Sequence, residues 1–159
     1  MTQMRFALNA SPWVEVRDGD PDALALYLRH YSARKYRDGR RRTRFVGPGS
    51  YVVLVTPDLG ALFVWRRFID DLDDGSGVRQ AGVSCGCFRN ESSALSSGLI
   101  LAAEPFAWTK WPAEHRLYTL VNPRKVRHKR DPGRCFRKAG WHPCGWSKTG
   151  KLILEKMKP

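Results

Sequence analysis

The sequence predicts an α+β fold in a single domain, residues 1–159, built on a mixed, mostly antiparallel sheet. Three observations predict it. Short apolar runs bounded by Gly, Pro and Asp recur along the chain, as in SYVVLVT, ALFVWRRF and RLYTLVN, which is strand patterning. Helical spacing is confined to a few segments with recognisable starts, such as Asp20-Pro21. No repeat, low-complexity run or linker divides the 159 residues, a length that suits one hydrophobic core.

The elements follow in order. MRFALN, residues 4–9, reads as a short first strand. A helix starts with Asp20 as cap and Pro21 at the first position, with Leu24, Tyr27 and Leu28 on one face. An Arg-rich loop leads to Gly47-Pro48-Gly49 and then to two strands joined by the turn Pro57-Asp58-Leu59-Gly60, a hairpin. DDLDDGSG, residues 70–77, is an acidic turn. The strand VRQAGVSCGCF contains Gly82 and Gly86, which mark a bulge or a close backbone approach. Ser92 or Ser93 is positioned to cap the next helix, and Pro105 predicts a kink or a division into two. Residues 116–122 form a buried strand. Pro132 to Ala139 is a short helix, capped by Asp131 and stopped by Gly140. WHPCGW and KLILEKM close the chain as strands around Lys148-Thr149-Gly150.

Charge narrows the function. Lys and Arg number 28 against 15 Asp and Glu, a net charge of +13, which attracts polyanions. The excess is concentrated. Residues 29–44 and 124–138 hold eight basic residues each, so 16 of the 28 lie in two short blocks. The candidate phosphate contacts are Arg34, Lys35, Arg37, Arg40, Arg41, Arg42 and Arg44 in the first block. In the second they are Arg124, Lys125, Arg127, Lys129, Arg130 and Arg134. Tyr31 and Tyr36 are interleaved with the first block, while Phe136 and Trp141 lie in or beside the second. Cations neutralise phosphates and aromatic faces stack on bases, so the expected partner is a nucleic acid. The chain has no apolar run long enough to cross a membrane and no signal-peptide pattern, so a cytoplasmic protein is expected. The four cysteines are expected as reduced thiols. Cys85 and Cys87, two apart on a strand, should share a face; with Cys135, Cys144 and His142 they lack zinc-site spacing, and no metal is expected.

The order helix, hairpin, long strand, helix, strand, short helix, strands resembles the acetyltransferase-like (GNAT) fold. That resemblance implies a sheet splayed at its centre, helices on both faces, and a cofactor tail in the splay. The segment Cys135-Phe136-Arg137-Lys138-Ala139-Gly140-Trp141 is similar to an element of that family's C-terminal half. The family's glycine-rich pyrophosphate loop has no close counterpart in Arg89-Asn90-Glu91-Ser92-Ser93 and Leu95-Ser96-Ser97-Gly98. Within that fold the chain resembles the Mom-type DNA-modification proteins of bacteriophages. Three segments carry this likeness: His30-Tyr31-Ser32, Arg89-Asn90-Glu91-Ser92, and Val121-Asn122-Pro123 followed by Gly133 to Trp141. Asn122 stands where those proteins have Asp, and Phe136 where they have Tyr. The resemblance implies double-stranded DNA as the partner and a transferase that carbamoylmethylates adenine in phage DNA within the infected bacterium and protects that DNA from restriction. The donor, acetyl-CoA or another small molecule, stays open, and so does the oligomeric state. An acyl-CoA-dependent N-acetyltransferase and a non-catalytic DNA-binding protein on the same scaffold are the alternatives.

The candidate catalytic residues are His30, Tyr31, Asn90, Ser92, Asn122 and Cys135. Nearby arginines should hold His30 neutral, as a base requires, while a helix-terminal role is equally consistent with its position. Tyr31 offers a stacking face or a proton. The amides of Asn90 and Asn122 offer paired donors and acceptors for an adenine edge, although Asn is also common at turns. Ser92 is a cap or a nucleophile. Cys135, near a helix N-terminus and arginines, should have its thiol pKa lowered, unless it is simply a buried small side chain.

Overall fold

The protein is described by a computed structural model covering residues 11–30, 33, 37–40, 43–47, 49–68, 80–125 and 131–159. It forms one α+β domain with a seven-stranded open sheet and three helices among these residues. The strands are β1 (Val14–Val16), β2 (Ser50–Val55), β3 (Ala61–Arg67), β4 (Val83–Asn90), β5 (Arg116–Val121), β6 (His142–Trp146) and β7 (Leu152–Met157). The helices are α1 (Pro21–Leu28), α2 (Ser96–Lys110) and α3 (Arg134–Lys138). The strand order is β1-β2-β3-β4-β5-β7-β6, and every neighbouring pair is antiparallel except β4 with β5. The expected strand at residues 4–9 lies outside the described residues. Sequence reading missed β1, whose three residues are too few to show alternation.

Strand alternation divides the core in two. Val52 and Leu54 of β2, and Ala61, Phe63 and Trp65 of β3, face α2 and α3. Val53, Val55, Leu62 and Val64 face α1. On the first face three tryptophans fasten α2. Trp13 donates its indole N–H to the Leu99 carbonyl at 2.9 Å, Trp65 to the Ala103 carbonyl at 2.9 Å, and Trp141 to the Glu104 carboxylate at 3.2 Å. Glu104 is buried and pairs with Lys156 of β7 at 2.7 Å, so its charge is compensated where water is excluded. α2 runs as one helix through Pro105, which lies on its exposed side, so of the two expected outcomes, a kink or a division into two, the division does not occur.

Local chemistry sets the helix ends. Asp20 caps α1 as expected, its carboxylate accepting from the Asp22 and Ala23 N–H groups at 3.1 and 3.0 Å. The buried face of α1 is Ala23, Leu26 and Tyr27; Leu28, expected inside, is exposed. The Asp131 cap expected for α3 is replaced by Gly133 at φ 76°, and the helix begins at Arg134. A Cβ at Gly133 would overlap Leu154, so the chain enters this helix hard against β7. Gly140, at φ 92°, ends it as expected, with the Trp141 N–H reaching back to the Phe136 carbonyl at 3.0 Å.

Candidate functional site

The site begins with a fork between two strands. β4 and β5 are paired only at Val83–Leu117, Ser84–Tyr118 and Cys85–Thr119. Two devices hold the paired end. A Cβ at Gly82 would overlap the Arg116 carbonyl oxygen, and Gly82 has φ 109°, so only glycine lets the strands come this close. The Thr119 hydroxyl then donates to the Cys85 carbonyl at 3.2 Å, at the last paired position.

Beyond that point β4 no longer pairs with β5. Cys87 is registered with Val64 and Cys85 with Trp65, so Gly86 is an extra residue, a β-bulge. The bulge also corrects an expectation. Cys85 packs on the α2 face and Cys87 on the α1 face, because one inserted residue reverses the alternation. Both thiols are buried; burial raises the pKa of Cys85 well above the usual thiol value and pushes that of Cys87 up to about 12. After the bulge, β4 pairs only with β3 among the described strands.

The outgoing end of β4 carries a polar corner. Arg29, just past α1, grips the Glu91 carboxylate through two nitrogens at 2.7 and 2.9 Å. Arg89 meets the same carboxylate at 2.5 Å and donates to the Arg29 carbonyl at 2.8 Å, closing the C-terminus of α1. Hydrogen bonds from Arg29 and Arg89 lower the Glu91 pKa to about 2, so Glu91 is an ionised tie, not a proton carrier. His30 lies in this corner, hydrogen-bonded to the Phe88 backbone, and its pKa falls to about 4, first through burial and then through the charge of Arg89. The imidazole is held neutral, but a pKa of about 4 lies well below the value of about 7 that suits a general base. The main cause is desolvation, and among the described residues the arginine responsible is Arg89 of β4.

Asn90 and Ser92 organise the loop from β4 into α2. The Asn90 amide donates to the Ala94 carbonyl at 2.7 Å and to the Ser96 hydroxyl at 3.0 Å, and its oxygen accepts from the Ser92 N–H at 2.9 Å and hydroxyl at 2.6 Å. Its donors and acceptor are occupied within the loop. Ser92 does not cap α2. The helix starts at Ser96, with Leu95 at the cap position and no side-chain cap bond. The cap residue therefore offers the N–H groups of the first turn no side-chain acceptor.

Across the fork, β5 ends at Val121, and Asn122 turns the chain by accepting the Arg124 N–H at 3.1 Å. α3 bridges the two outgoing strands: Phe136 meets Phe88 of β4 edge-on at 6.1 Å, while Gly133 lies against Val121 and Leu154. Cys135 packs at the core edge, and burial raises its pKa. The expected lowering fails because desolvation outweighs the backbone hydrogen bonds of this short helix.

The fork thus brings His30 and Asn90 to one side and Asn122 to the other, with Cys135 in the helix that bridges them. Tyr31 lies outside the described residues, as do Arg34, Lys35, Arg41, Arg42, Arg127, Lys129 and Arg130. Of the expected phosphate contacts, Arg37, Arg40, Arg44, Arg124, Lys125 and Arg134 are all exposed. Arg40 pairs with Asp38 at 2.6 Å. The aromatic residues beside and within the two blocks pack on opposite faces of the sheet. Phe45, just after the first block, stacks on Tyr27 of α1 at 4.8 Å, whereas Phe136 of the second lies in the α2 core. Sequence reading missed Arg29, Thr119 and Glu104, whose roles arise only from partners distant along the chain. No family model matches the chain, and no curated protein is significantly similar to it. Among the described residues no helix is long and apolar enough to cross a membrane.

Proposed function

We propose that this chain is a DNA-base-modifying transferase on an acetyltransferase-like scaffold, of the kind the Mom-type proteins exemplify. The observation that carries the reading is the fork, in which two parallel strands separate after three pairs at a glycine bulge. A wedge between diverging strands can admit a flat ligand edge-on. His30, its imidazole held neutral, lies beside Phe88 and Arg89 of β4, and Asn122 follows the end of β5. Exposed cations on both faces suit a polyanion whose target base is turned out of its stack before reaction. His30 is assigned the role of proton acceptor, and Asn122 that of holding a base edge. Asn90 supports them by fixing the loop.

One observation favours the acyl-CoA-dependent reading. The uncapped N-terminus of α2 is an electropositive end suited to a pyrophosphate. Nucleoside mass spectrometry on DNA from cells expressing the protein tests the main reading. A new adenine derivative is the expected outcome. Unmodified DNA together with acetyl-CoA binding in calorimetry would shift the assignment to the alternative.

A further inference from the structure

Trp146 differs from the tryptophans that fasten α2. It is 64% exposed, the one aromatic among the large exposed hydrophobic residues of the described chain. It ends β6, beside a tightly built turn. The Ser147 N–H donates to the Lys151 carbonyl at 2.8 Å, the Lys151 N–H to the Ser147 hydroxyl at 2.9 Å, and the Gly150 N–H to the Ser147 carbonyl at 3.1 Å. The turn therefore fixes the backbone at Lys148 and Lys151, two and five positions after Trp146. Register places this unit at the forked end of the sheet: Trp146 pairs with Leu152, and Leu152 with Val121, the residue before Asn122. Neighbouring strands lie about 4.8 Å apart, so the backbone of Trp146 is roughly 10 Å from the end of β5. Across the sheet Trp146 shares a concavity with Arg116 and Glu155, which pair with each other, while along the chain the charge is one-sided. Between Asp131 and Glu155 there is no carboxylate side chain, while Arg134, Arg137, Lys138, Lys148 and Lys151 supply five cations.

From this juxtaposition we infer that Trp146 is a base-stacking contact for a nucleic-acid strand, with Lys148 and Lys151 holding the phosphates on either side. The inference rests on the nucleic-acid reading above and adds which nucleotide state is bound, an unpaired base next to the fork. A rigid exposed ring flanked by cations is how strands are held without base-pair readout. Membrane anchoring needs apolar area around the aromatic, and here its neighbours along the chain are Gly145 and Ser147.

The test is fluorescence anisotropy with a short oligo(dT), a fully paired duplex of equal length and anionic phosphatidylserine vesicles. Trp146→Ala should weaken oligo(dT) binding about 5-fold or more, with little change in salt dependence, because stacking releases no counterions. Trp146→Phe should stay within about 2-fold, since a ring is kept. Lys148→Ala with Lys151→Ala should instead flatten the salt dependence. If the wild type binds DNA and Trp146→Ala binds equally well, the inference falls while the function reading stands. Vesicle binding lost in Trp146→Ala with oligo(dT) binding unchanged overturns it in favour of a membrane. A wild type that binds no nucleic acid overturns both.

Discussion

The two ends of the β4–β5 pair differ although they belong to the same strands. At the incoming end Gly82 lies against the Arg116 carbonyl, and an Arg116 nitrogen reaches the Ala81 carbonyl at 2.8 Å. At the outgoing end Gly86 bulges, nothing lies within 4 Å of where its Cβ would be, and the strands part. Two glycines in one strand therefore do opposite jobs: one allows contact, the other ends it. The lesson is that a wedge between strands needs a rigid hinge. The incoming end is packed so closely that the outgoing end can stay open without the sheet coming apart.

Gly82→Ala should give the largest effect. The new methyl meets backbone that cannot move aside, in a φ region disfavoured for Ala, so a loss of about 3 kcal/mol or more is expected in urea unfolding. A near-neutral result would break the hinge argument. Asn122→Ala comes next: DNA modification should fall at least about 100-fold, the range for a positioned group. Stability should change by at most about 1 kcal/mol, since the hydrogen bond lost is a local turn contact. Normal modification by a folded variant would remove the outgoing end from the chemistry.

Acid titration sharpens the contrast further. The pKa of His30 falls from its usual 6.5 to about 4 on folding. Between those values the unfolded chain binds more protons than the folded one. Stability is therefore fully present above about pH 6.5 and declines as pH falls towards about 4, by at most about 3 kcal/mol for this group. Unfolding curves at about pH 4 and about pH 7, for wild type and His30→Gln, should differ in that interval. An unchanged pH dependence in His30→Gln would contradict the burial of the imidazole. The smallest effect is expected for Gly86→Ala, under about 1 kcal/mol, because the bulge has room and an ordinary φ. A loss as large as that of Gly82→Ala would erase the distinction between the ends.

Much of the fold was legible because local chemistry wrote it. The Asp20-Pro21 start, the hairpin around Asp58 and Gly60, the Gly140 stop and the final pair of strands all depend on residues a few positions apart. Local reading failed where a distant partner decided. Asp131 had the right chemistry to cap α3, but the contact of Gly133 with Leu154 sets where the helix begins. Cys135 had the right neighbours for a reactive thiol, but burial against the core raises its pKa.

The sequence by itself determined the α+β class, the order of most elements, the concentration of charge in two blocks and the presence of a glycine irregularity in β4. These follow from short-range sterics, hydrophobic periodicity and simple counting. Only the tertiary structure decided that the irregularity falls where β4 leaves β5, and that Arg29, Arg89 and Glu91 lock together beside His30. It also set Phe45, after the first basic block, and Phe136, within the second, on opposite faces of the sheet. The physical reason is that strand pairing, burial and ion pairing join residues tens of positions apart. Their energies depend on a distance that exists only once the chain has closed around its core.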